Sequence, residues 1–177
     1  MAEPSPYTRP GALQVPHGDP SHPPGPAVRM AFSFMLDSLA QLLRVEAAFV
    51  AAHGHAGVAL DPDATTHVYA AADAAARAVL ELAPAQPGDR ALQIGALLVR
   101  MAIGMEDPVD RAAVQEMTTE ARARLMLAAG DPEAGVINRL LSLGFDRLER
   151  LVALEAKLAA EIEAEMDIGG DPAAFCL

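Results

Sequence analysis

The dipeptide Asp-Pro divides this chain. Beyond residue 26 it occurs at Asp61-Pro62, Asp107-Pro108, Asp131-Pro132 and Asp171-Pro172. An Asp side chain accepts from the orphan amides of a helical first turn, and Pro at the first helical position gives up no intrahelical bond. These copies therefore read as helix caps before anything else. Gly88-Asp89 reads as a further start without the proline. Between the starts, apolar residues recur three and four apart, and nothing alternates as a strand would. Ala and Leu number 38 and 21 against 12 Val and 5 Ile, which favours helix over strand.

The expectation is an all-α fold, a single bundle of about five helices. They should run over Ala27–His53, Pro62–Ala83, Asp89–Met105, Pro108–Ala129 and Pro132–Ile168. Residues 1–26 hold eight of the 14 prolines and read as a disordered, Pro-rich N-terminal tail. Residues 169–177 read as a short C-terminal tail.

Each helix shows what it should bury. On the first, Phe32, Leu36, Leu39, Leu43 and Val50 form one stripe, with Glu46 and His53 continuing its spacing. The second offers small residues, Ala72, Ala75, Ala76 and Val79, suited to close approach of a neighbour. The third is apolar on two faces: Ile94, Leu97, Leu98, Met101 and Met105 on one, Leu92, Val99 and Ile103 on the other. Such a helix belongs at the centre of a bundle. Arg100 is its only charge between Ala91 and Met105. The fourth has a thin stripe through Val114, Met117, Ala121 and Leu125. The fifth repeats Ile137, Leu141, Leu148, Leu151, Leu158 and Ile162, with Gly144 permitting a close crossing or a kink, and Glu155 interrupting the seam.

Charge and cysteine content bound the function. Acids outnumber bases 24 to 13, giving −11, which argues against phosphate backbones and anionic membranes. No apolar run is long enough to span a membrane. The single cysteine, Cys176, makes no intrachain disulfide, and with no secretory signal visible a cytoplasmic location is expected. Twelve Arg against one Lys, with the Ala excess, suggests a GC-rich bacterial genome.

Glu46, His53 and Arg100 are the candidate site residues. An ionised carboxylate in an apolar stripe needs a counter-charge, a proton or water. Two readings follow: a buried Glu46–Arg100 pair within the core, or a polar pocket for a small ligand lined by Glu46, His53 and Arg100. No metal or cofactor is expected, because the Glu-x-x-His repeats of di-iron bundles are absent. The fifth helix would extend roughly 50 Å. Its Leu154, Leu158 and Ile162 form a candidate partner surface, either for a homodimer or for a basic protein drawn to residues 155–171, which carry six acids and one Lys.

Two short strings resemble known motifs. Asp61-Pro62-Asp63-Ala64-Thr65 resembles the Asp-x-Asp-x-Thr signature of haloacid-dehalogenase-like phosphotransferases. That resemblance implies a nucleophilic Asp61, Mg²⁺ and a parallel-sheet domain, whereas the flanking chain reads as helix. His67, exposed on a helix, is similar to the phosphorylated residue of histidine-phosphotransfer bundles, but Val68-Tyr69-Ala70-Ala71 follows it in place of that family's Lys-Gly context. Phosphate-binding, dinucleotide-binding and serine-hydrolase motifs are absent. The expected function is a non-enzymatic interaction or accessory protein acting through helix surfaces. The alternatives are a ligand-sensing bundle around Glu46 and a DNA-associated regulator using Arg122, Arg124, Arg139, Arg147 and Arg150.

Overall fold

Three of the five helices begin on proline, where the Asp-Pro pairs place their starts. The computed structural model describes residues 27–53, 62–105, 107–128 and 132–168. Its elements are α1 (Ala27–His53), α2 (Pro62–Glu81), α3 (Asp89–Gly104), α4 (Pro108–Leu125) and α5 (Pro132–Ile168). The fold is an all-α bundle, with no strand among the described residues. The Pro-rich tail, the C-terminal tail, Asp61, Asp131 and Asp171 lie outside the described residues.

Pairs of contacts fix the helix directions. Arg29 of α1 is paired with Glu133 of α5 at 3.2 Å, and Arg147 donates to the Leu36 carbonyl further along both. α1 and α5 therefore run parallel. α3 opposes α2, since Gln93 reaches the Leu82 carbonyl while Arg100 meets Asp73. α4 opposes α5, since Asn138 grips Leu127 and Arg122 meets Asp146. α1, α2, α3 and α5 pack as a ring, α1 to α2 to α3 to α5 and back, with α1 and α3 also touching across it. α4 lies outside the ring against α3 and α5. α3 thus contacts every other helix, the central position its two apolar faces predict.

The core is set by large residues of α1 meeting small ones elsewhere. Phe32, Met35, Leu39 and Leu42 are fully buried. The Phe32 ring sits between two helical glycines: a Cβ on Gly95 of α3 or on Gly144 of α5 would lie 3.3 Å from it. Gly144 therefore serves a close crossing. α2 turns Ala72, Ala75, Ala76 and Val79 inward, and His67 outward, as its pattern predicts.

One expectation needs correction. Of the two apolar faces of α3, the core takes Leu92, Ala96 and Val99, whereas Ile94 and Leu97 remain 43% and 45% exposed. The small residues Gly95, Ala96 and Ala102 are buried on the core face, while Ile94 and Leu98 line an open groove toward α4. α4 itself ends at Leu125, earlier than its sequence pattern predicts. The Asn138 side chain accepts from the Leu127 amide at 2.8 Å and donates to the Leu127 carbonyl at 2.9 Å. These two bonds stand in for continued helix.

The turn before α3 is braced from within. Asp89, 3% exposed, accepts from the amides of Ala85 and Gln86 at 2.9 and 2.8 Å. It caps the turn that precedes it, so its side chain does not cap α3. Gly88 takes φ +91°, and a Cβ there would collide with Ile137 and Leu127. Gly88→Ala should therefore destabilise the chain by about 1–2 kcal/mol or more, read as a lowered urea midpoint. Unchanged stability would show that the turn readily adopts another shape.

Candidate functional site

The stripe that buries Leu39, Leu42, Leu43 and Val50 also buries Glu46, which is 4% exposed. Burying a carboxylate in an apolar stripe is costly unless other groups meet it. What faces Glu46 is the Tyr69 phenol of α2, which Glu155 of α5 faces as well. The phenol donates to Glu155 Oε1 at 3.1 Å. Glu155 follows buried Leu141 and Leu148 at seven-residue spacing, so it projects into the ring from α5. Tyr69 closes the gap across the ring between α2 and α5. Three helices thus deliver two carboxylates and one hydroxyl to one place.

The electrostatics follow from that arrangement. Burial pushes the Tyr69 phenol well above its ordinary range. The charges of Glu155 and then Glu46 push the same way, as do hydrogen bonds to both. A group whose folded pKa is raised adds stability that is complete below its unfolded value, about 10 for a phenol, and is lost as pH climbs toward the folded value. The chain has two tyrosines and no tryptophan. In a Tyr7→Phe variant, tyrosinate absorbance should therefore stay absent through the range where a free phenol titrates. It should appear only as the chain unfolds. A simple titration centred near 10 in the folded protein would contradict the burial of Tyr69.

Tyr69 also lines an open groove. Thr65, Thr66, Tyr69, Ala70 and Asp73 of α2, with Ile103 of α3, line about 430 Å³. Asp73 accepts from Arg100 Nε at 3.0 Å and from Arg77 one turn along α2. The hydrogen bond from Arg77 is the main cause holding the Asp73 carboxyl below its ordinary value; burial opposes it, and Arg100 adds to it.

The expected site residues are thus partly separated. Glu46 is buried as its spacing predicts. Arg100 meets Asp73 on α2 and does not supply the expected partner for Glu46. It lies one residue past buried Val99, at the edge of the core face. There its side chain is 44% exposed and a half-buried acid is at hand. The side chain of His53 lies outside the described residues. Leu154 packs against the chain's own core, Leu158 is half-buried, and the side chain of Ile162 lies outside the described residues. Tyr69 and Glu155 join Glu46 although neither was among the candidate site residues. Glu155 had a readable signal in its register with Leu141 and Leu148. Tyr69 had only its position flanking the small-residue face of α2.

Other features bear on what the surface can do. Among the described residues, no three His, Cys, Asp or Glu are placed to hold a metal ion. No described helix is long and apolar enough to cross a membrane. Arg122 bonds Asp146 at 2.8 Å and Glu149 at 3.0 Å, and lies 5.6 Å from the centre of the Phe145 ring. Arg124 pairs with Glu120, and Arg147 donates to the Leu36 carbonyl. Three of the five arginines considered for DNA are therefore engaged within the bundle. A second, apolar groove of about 250 Å³ lies between α3 and α4, formed by Ile94, Leu98, Met117, Ala121 and Leu125, with Glu120 and Arg124 on its rim.

Comparison with known protein families, with curated proteins and with solved structures finds no match to this chain.

Proposed function

We propose that this chain is a non-enzymatic ligand-binding bundle whose site is the groove over Tyr69. The observation that carries the reading is Glu46, a buried carboxylate at a position where any apolar side chain would complete the stripe. Groups that burial and charge partners perturb mark functional sites more often than chance, and here they adjoin an open groove. The groove presents hydroxyls, an aromatic ring and a carboxylate already bound by two arginines. That set suits recognition better than turnover. Screening small-molecule fragments against the full chain by amide NMR tests the proposal. Hits should shift Thr65, Thr66, Ala70 and Ile103 together. Hits confined to the α3–α4 groove, or none, would overturn it.

One observation favours a second reading, a helical interaction protein. Ile94 and Leu97 are exposed beside the apolar α3–α4 groove, and a patch repeated on two copies can close a twofold dimer. This reading predicts a dimeric mass by light scattering that Leu97→Glu returns to monomer. A monomeric wild-type chain removes it.

A further inference from the structure

The rim of the α3–α4 groove carries one acid and one base, and their placement selects an occupant. α3 runs in the direction of α5: a Cβ on Gly88 would meet Ile137, and one on Gly95 would meet Leu141. α4 opposes α5, so it opposes α3 as well. Ile94 and Leu98 therefore face Leu125 and Met117 in reverse order across the groove, with buried Leu98 on its floor. Leu97 stands exposed beside Ile94, level with the middle of the groove. Glu120 and Arg124 stand on the α4 rim at that same level. Both are exposed, and they pair with each other at 2.7 Å, one helical turn apart.

A partner of one charge sign gains from one of these rim residues and loses to the other. A second copy turned about a twofold axis gains from both. An axis that crosses α4 between Glu120 and Arg124 brings Glu120 of one copy to Arg124 of the other, and does so twice. Because α3 and α4 are antiparallel neighbours, the same axis crosses α3 near Leu97. It sets the two exposed Leu97 side chains against each other, with an apolar groove on either side to receive them. We infer that the α3–α4 face binds a second copy of this chain, antiparallel, about a twofold axis between Glu120 and Arg124 and beside Leu97. This rests on the second reading above. It adds the orientation of the partner and the charges that set its register.

Sedimentation equilibrium at low salt tests the assignment, with a thermal melt showing each variant folded. Wild type should be dimeric and Leu97→Glu monomeric. Glu120→Arg makes the rim wholly basic, and Arg124→Glu makes it wholly acidic. Each alone should weaken the dimer at least about tenfold, because like charges then meet across the axis. Mixed in equal amounts, the two variants should pair with each other as tightly as wild type does. Both variants also lose the pair within their own helix, and mixing cannot restore that pair, so recovery reports contact between chains. If wild type is dimeric and Leu97→Glu monomeric, but the reversals leave the dimer intact or the mixture stays monomeric, this axis fails alone and the dimer reading stands. A dimer that Leu97→Glu leaves intact removes both. A monomeric wild-type chain also removes both, and leaves the face to the chain's own N-terminal segment or to a different protein.

Discussion

Phe32→Ala should destabilise the bundle by about 3–5 kcal/mol, the loss expected for a fully buried aromatic side chain. The upper half of that range is expected here. The ring fills the space between Gly95 of α3 and Gly144 of α5, two positions with no side chain to collapse into the cavity. The backbones around it belong to three different helices of the ring. Shrinking the cavity would require all three to move. Urea unfolding checks this: the midpoint should fall with the slope unchanged. A loss below about 1 kcal/mol would mean that the helices close over the gap, and that the glycines do not hold them apart around the ring.

Glu46→Leu should act in the opposite direction and stabilise the chain by roughly 1–3 kcal/mol. Leu has nearly the volume of Glu and matches its neighbours Leu42, Leu43 and Val50 in the stripe. Removing the carboxylate leaves the Tyr69 proton its bond to Glu155 at 3.1 Å. The substitution also relieves the proximity of two negative groups in a confined place. A residue that costs stability and is replaced without structural penalty is one kept for another purpose. The prediction is therefore paired: a higher urea midpoint together with loss of the fragment-induced shifts at Thr65, Thr66, Ala70 and Ile103. Destabilisation by several kcal/mol would instead mark Glu46 as a member of a structural network.

The helices were legible because their signals are local. α1 and α5 occupy the spans that spacing and Asp-Pro caps predict, and α2 and α3 end within two residues of expectation. α4 ended early because the clamp on Leu127 comes from Asn138, a residue of the next helix. The burial of Glu46 was legible for the same local reason, a register on one helix face. Its partners were not. Arg100 was the nearest apparent counter-charge because α3 is central, but a residue's angular position on α3 decides which neighbour it meets. Arg100 turns toward α2 and Asp73. The meeting of Tyr69 with Glu155 depends on α2 and α5 standing across the ring from each other, a property of the closed ring and of no single helix. The exposure of Ile94 and Leu97 was hidden likewise, since it depends on which faces of α3 its neighbours cover.

The central claim is that Glu46 belongs with Tyr69 and Glu155 and stands apart from Arg100. Two double-mutant cycles in urea test it most directly. Glu46→Gln combined with Tyr69→Phe should be non-additive, with a coupling of at least about 1 kcal/mol, because both act on one hydrogen-bonded group. Glu46→Gln combined with Arg100→Met should add within about 0.5 kcal/mol, as independent sites do. Coupling to Arg100 without coupling to Tyr69 would contradict the account.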